Sequence, residues 1–358
     1  MSSLFPPGLF ESAFQPAWWL RNPHAQTLFS TFFRRSPLLA RRREELVLPD
    51  GDFLDLDWHV PEGWQAESPL VLVVHGLSGS SDSHYVLGLQ AALSARGWAS
   101  VAMNCRGASG RPNNRPLAYH AAASDDVLTA LAHLERRHPQ APRALVGYSL
   151  GGSMTVRLMG ELQEQAPVFA AAAVSVPLQL TLCADRMDRG FSRVYRQHFM
   201  DVLVSYWKDK ALHLERRGDT DAARHVLERL QRGPFRSFWQ YDNELIAPLH
   251  GFRDVHDYYE RASPRQFLSR IARPTLVIQS ADDPFMTPEV LPGAGELSPA
   301  VHFELCRQGG HVGFIEGGTP RAPRYYLEKR IPDFLAHHWA GTSGTGDASG
   351  VVPDAQKR

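Results

Sequence analysis

Cysteine is scarce: Cys105, Cys183 and Cys306 are the only three in 358 residues, and their spacing suits neither a disulfide framework nor a metal site. An odd thiol count fits a reducing compartment, so the expectation is a cytoplasmic protein without metal or cofactor. Net charge is missing as well. Lysine plus arginine number 38, as do aspartate plus glutamate, so no overall field draws the chain to nucleic acid, and no long single-sign run marks an interaction tail. Long apolar runs are absent too: the most apolar stretch, 168–182, is interrupted by Pro177 and Gln179 and is short for a membrane span. The amino terminus has no basic segment followed by an apolar core, which speaks against a secretory signal. An aromatic segment at 14–35, carrying Trp18, Trp19, Phe29, Phe32 and Phe33 ahead of Arg34 and Arg35, packs on the protein's own body or touches a membrane surface weakly.

What is present is alternation. Strand patterns at 45–48 and 53–59 flank a Pro-Asp-Gly-Asp turn. Buried-looking strands at 70–74, 98–103, 144–147 and 168–176 then alternate with helical stretches near 84–96, 121–137 and from 150 on. Such alternation implies an α/β fold whose mostly parallel central sheet is covered by helices on both faces. Between 178 and 273 the pattern gives way to mixed charged and aromatic residues at helical spacing, read as a helical cap insertion. Strands at 275–280 and 301–306 and a helix near 324–338 resume the core. The expected organisation is an extension, 1–44, packing on the core; a core of 45–177 and 274–339; the cap, 178–273; and a disordered tail, 340–358, rich in Gly, Ser, Thr and Asp.

The pentapeptide Gly147-Tyr148-Ser149-Leu150-Gly151 sits where a strand gives way to a helix, as in a nucleophile elbow whose tight turn lifts the serine above the sheet. The motif alone is weak, but an acid and a histidine follow it in the order such a site needs. Asp282 and Asp283 emerge after the strand at 275–280, and Asp283 is preferred as the acid. The alternative reading of the pair is a simple turn before Pro284. His311 follows the next strand in a glycine-flanked loop, able to carry an imidazole over the sheet edge. In the expected chemistry His311 takes the Ser149 proton, Asp283 fixes the imidazole, and Ser149 attacks an acyl carbonyl. The backbone N–H groups of Leu150 and Leu77 are the expected oxyanion donors, the latter in the loop after strand 70–74. His75, in that loop, reads as structural. Within the cap, Phe191, Tyr195, Phe199, Tyr206 and Trp207 could line an acyl pocket, although most should form the insertion's own core.

With those residues in view, the chain resembles the α/β hydrolases and, more narrowly, the YheT-like group of the AB-hydrolase 4 family. The likeness rests on 22–27, on 75–80 with Tyr85, on 104–110 with Tyr119 and His120, and on the segments 147–152, 282–285 and 309–314. It implies a serine hydrolase of carboxylic esters, with short- to medium-chain esters as the safer expectation and acylglycerols as a lipid-like extension. Arg106 could approach a substrate or pin its loop, and the second is favoured. The small-molecule ester is the expected partner, with oligomeric state open. Amide, thioester or perhydrolase chemistry on the same scaffold, and a non-catalytic binding protein, are the competing readings.

Overall fold

Short runs of branched and small apolar residues build one nine-stranded sheet in the computed structural model, which describes residues 4–343. In chain order the strands are β1 (Gly8–Glu11), β2 (Arg42–Val47), β3 (Phe53–His59), β4 (Leu70–Val74), β5 (Ala99–Asn104), β6 (Arg143–Tyr148), β7 (Ala170–Val174), β8 (Thr275–Ser280) and β9 (Val301–Cys306). Across the sheet they run β1-β9-β8-β7-β6-β4-β5-β3-β2. Every pairing is parallel except β2 with β3 and β3 with β5. Alternate residues feed opposite faces, as period-2 geometry requires. Val71, Val73 and Val146 pack with α2 (His84–Ser94), while Leu72, Val74 and Leu145 pack with the helices that follow β5 and β6. Those are α3 (Ser124–Arg137) and α4 (Leu150–Leu162), and both faces of the sheet are thereby buried.

Between β7 and β8 the chain inserts α5 (Leu180–Met187), α6 (Ser192–Arg216), α7 (Thr220–Leu230), α8 (Phe238–Tyr241), α9 (Ala247–Leu249) and α10 (Val255–Ala262). Their apolar residues, Trp207, Leu214 and Tyr258 among them, are continuous with the core on the α3 and α4 side. The helical spacing read between 178 and 273 is interrupted after Tyr241. A single π-helical turn, Asp242–Ile246, joins α8 to α9, and an irregular link leads to α10.

Two expectations at the ends are corrected. The segment 1–44 does more than pack on the core: β1 joins the sheet beside β9, and β2 already begins at Arg42. Four residues are too few to display a periodicity. At the other end a hairpin, β10 (Ile315–Thr319) and β11 (Ala322–Tyr325), precedes the last helix, Leu327–Ser343. Residues 340–343 are therefore helical, not disordered. The remainder of the expected tail, 344–358, lies outside the described residues.

No described helix is long and apolar enough to cross a membrane. The aromatic segment divides: Phe14 is buried, Trp19 and Phe29 pack beside Ile315, and Trp18, Phe32 and Phe33 stand exposed.

Candidate active site

Gly147 is the penultimate residue of β6 and Gly151 the second of α4, and the turn between strand and helix puts Ser149 in the left-handed half of backbone space, at φ 51° and ψ −116°. That conformation is costly for a residue with a side chain. It is enforced by close backbone packing. A Cβ on Gly147 would lie 2.2 Å from the Gly151 carbonyl oxygen, and one on Gly151 would lie 2.5 Å from that of Val74. Only glycine permits the elbow to seat against β4.

The loops after β8 and β9 converge on this serine. Ser149 Oγ and His311 Nε2 are 2.9 Å apart, and His311 Nδ1 lies 2.8 Å from Asp283 Oδ2. A carboxylate only accepts, so Nδ1 carries the hydrogen and Nε2 is left as acceptor for the serine O–H. Asp283 is almost fully buried, and its second oxygen accepts the Phe285 N–H at 2.9 Å. Of the two adjacent acids, Asp283 is thus the one brought to His311. Asp282 instead accepts the Gly310 N–H at 3.0 Å, and burial, the largest influence, raises its pKa above the usual carboxylate value.

Supports for the histidine loop come from distant parts of the chain. Helix α1 (Pro23–Phe33), capped by the Asn22 side chain, presents Thr27 Oγ1 to the His311 N–H at 2.9 Å. Ser175, after β7, accepts the Val312 N–H at 3.0 Å, and the Phe285 ring stacks on the imidazole at 4.1 Å. Sequence reasoning missed these roles. The segment 22–27 and Phe285 carried the family likeness, but nothing local ties Thr27 to a histidine 284 positions away.

The loop after β4 is fixed with similar care. Tyr85 accepts the Gly76 N–H at 3.0 Å and Tyr119 accepts the Ser78 N–H at 2.8 Å, so the backbone is tied on both sides of Leu77. Leu150 is the first residue of α4, where an N–H has no acceptor within its helix. Both leucines line the cavity with Ser149 and His311. His75 accepts the Cys105 N–H at Nε2, 3.1 Å away, and lies 2.7 Å from the Gly76 carbonyl through Nδ1. Burial lowers its pKa to about 4, which leaves it neutral and committed to bridging two loops. Arg106 pairs with Asp126 through two 2.8 Å bonds and reaches Asp50 and Asp52 as well. It pins its loop to the turn between β2 and β3 and to α3.

Ser149 opens into a cavity of about 330 Å³ whose wall is largely apolar and is shared between the helical insertion and the loops of the core. Of the five cap aromatics singled out above, Phe199 and Tyr206 line it. Tyr195 packs instead on Phe285 and is hydrogen-bonded with His24, Trp207 is fully buried and donates to the Tyr241 hydroxyl, and Phe191 is half exposed. Cys183 also lines the cavity, but burial pushes its thiol pKa well up, so it remains a protonated, unreactive group.

Comparison with known proteins agrees with this architecture. The family model described as alpha/beta hydrolase fold matches residues 69–318. YheT of Escherichia coli, named as a candidate esterase, is 39% identical over 322 residues, covering 90% of this chain and 92% of YheT. Phospholipase ABHD3 of Bos taurus is 27% identical over 319 residues, covering 87% of this chain and 75% of its own. Among solved structures, an esterase of Pyrococcus furiosus superposes with a TM-score of 0.52 over 93% of this chain and 99% of that one. At 13% identity that likeness concerns the fold alone.

Proposed function

The chain belongs to the α/β-hydrolase fold family and, within it, to the YheT-like hydrolases, and from that premise we propose that it cleaves carboxylic esters through an acyl-enzyme on Ser149. The observation that carries the reading is the pair of short contacts from His311, 2.9 Å to Ser149 and 2.8 Å to Asp283, at the wall of a largely apolar cavity. His311 Nε2 takes the hydroxyl proton as Oγ attacks the acyl carbonyl. Asp283 keeps the other ring nitrogen protonated and stabilises the imidazolium. The developing oxyanion is received by the Leu150 and Leu77 N–H groups, each worth about 3 to 4 kcal/mol in such sites. Collapse expels the alcohol with the proton held by His311, and water repeats the sequence to release the acid.

The cavity falls at the small end of the usual ligand-pocket range of about 300 to 1,000 Å³. That supports short- to medium-chain esters over long-chain lipids. Three buried, free cysteines support a cytoplasmic setting. Relatives named as phospholipase and monoacylglycerol lipase make acylglycerols the natural extension of the substrate panel.

A fluorophosphonate probe is expected to label the protein at Ser149, and butyryl and octanoyl 4-nitrophenyl esters to turn over faster than palmitoyl. Properly folded protein that resists the probe would sink the reading. Thioesters and amides run alongside decide between acyl-transfer chemistries, since the same three side chains could serve each.

The oxyanion loop gives a second expectation. Tyr119→Phe removes the acceptor for the Ser78 N–H and frees the backbone beside Leu77. A loss of about tenfold in kcat, equivalent to one hydrogen bond of ~1.4 kcal/mol, should follow with KM little changed. An unchanged kcat would mean that the loop is held without that hydroxyl.

A further inference from the structure

The cavity wall contains one acid that the hydrolytic chemistry does not use. Asp242 opens the π-helical turn between α8 and α9, is buried to 9% exposure, and lines the same cavity as Ser149. Its Oδ2 accepts the Tyr259 hydroxyl at 2.7 Å. Around it stand Tyr241, Tyr258 and Tyr259, all cavity-lining. Burial raises its pKa to about 7, the Tyr259 hydrogen bond being the opposing influence, and no cationic side chain contributes.

A carboxyl group in that position is expensive. Burying an ionised acid without a positive partner costs several kcal/mol, and an asparagine could keep the Tyr259 contact at no such cost. The chain instead places an ionisable acid, among three cavity-lining tyrosines, where a ligand can reach it. Single π-helical turns of this kind are frequent at functional sites. An ammonium group supplies what the protein withholds: a counter-charge for the carboxylate and a cation for the ring faces.

We propose that Asp242, with Tyr241, Tyr258 and Tyr259, forms a subsite for a primary ammonium group carried on the substrate, on the helical insertion opposite the sheet edge that bears Ser149. That the ligand is a substrate rests on the hydrolase reading, whereas the subsite itself does not. An apolar chain would occupy the rest of the cavity, so the favoured ligands are amphiphilic: an alkyl segment ending in an amine.

Binding is therefore measured apart from turnover. Titration calorimetry with hexylammonium chloride and with 1-hexanol is run on the wild type, Asp242→Asn and Tyr259→Phe. Hexylammonium is expected to bind the wild type at least about tenfold more tightly than hexanol, as for a charge-assisted contact. Asp242→Asn should abolish that preference, and Tyr259→Phe, which leaves the carboxylate in place, should retain it. Folding of each variant is checked by near-ultraviolet circular dichroism. Equal affinity for the two ligands in the wild type, or a preference that survives Asp242→Asn in folded protein, overturns the proposal. On the wild type, ethyl 6-aminohexanoate should also exceed ethyl heptanoate in kcat/KM, with the order reversed in Asp242→Asn. If the hydrolase reading is what fails, no ester turns over and the fluorophosphonate does not react, while the calorimetric preference persists. A higher kcat/KM for the heptanoate in the wild type counts against the subsite.

Discussion

Replacing Ser149 with alanine is expected to lower ester kcat by roughly 10⁵- to 10⁶-fold, about 7 to 8 kcal/mol of transition-state stabilisation, while stability changes little. The two halves of that expectation come from different features of the same residue. Activity is lost because, in the proposed chemistry, Oγ attacks the acyl carbonyl after giving its proton to His311 Nε2, 2.9 Å away. Stability is retained because Ser149, although at the N-cap position of α4, makes no side-chain capping bond. Removing such a bond ordinarily costs about 1 kcal/mol. The backbone strain at φ 51° is borne equally by alanine. Residual catalysis over water should survive from the oxyanion donors and from binding alone. Steady-state turnover, fluorophosphonate labelling and urea unfolding on the purified variant check all three statements. Turnover within tenfold of wild type would remove Ser149 from the chemistry, and a large drop in unfolding free energy would mean that its hydroxyl holds the elbow together.

The features legible in the sequence were those with local signatures. The elbow is a strand, a tight turn demanding two glycines and a helix in succession, so Gly147 through Gly151 announce it within a few positions. The order of Ser149, the acid and His311 follows from the alternation of strands and helices, which sets the parallel sheet and delivers loops to one edge. What could not be read depends on contacts between remote segments. Thr27 under His311, Tyr119 under the Leu77 loop and β1 beside β9 are each separated from their partners by tens to hundreds of positions. Asp242 left no trace because its burial depends on how α8, α9 and α10 fold back on the sheet. The cap aromatics illustrate the same limit. Tyr206 and Trp207 are neighbours in sequence on α6, yet one lines the cavity and the other is sealed in the insertion's core, since adjacent helical residues lie about 100° apart.

The choice between Asp282 and Asp283 was the one the sequence left as a preference, and it yields the second large effect. Asp283→Asn is expected to reduce kcat by about 10⁴-fold, the scale seen when a triad acid is made neutral without being shortened. The reason lies in the second oxygen. Asp283 Oδ1 accepts the Phe285 N–H at 2.9 Å, so an asparagine here would give its carbonyl to Phe285 and turn its amide nitrogen toward His311. Facing a donor, the imidazole adopts the tautomer with hydrogen on Nε2 and can no longer accept the Ser149 proton. Asp282→Asn should behave oppositely. Its carbonyl can still accept the Gly310 N–H that Asp282 holds at 3.0 Å, so kcat should remain within about threefold, the worth of less than 1 kcal/mol. Its effect appears in stability. Because burial raises the Asp282 pKa in the folded protein, the folded state binds its proton more readily than the unfolded chain does. That acid's contribution is therefore full below the unfolded pKa and is lost as pH rises through the folded one. Asparagine removes this loss, so the variant should gain on the wild type in urea unfolding at pH 8 relative to pH 4. A larger fall in kcat at position 282 than at 283 would exchange the roles of the two carboxylates. Equal, small effects at both would mean that His311 is oriented by Thr27, Ser175 and Phe285 without an acid.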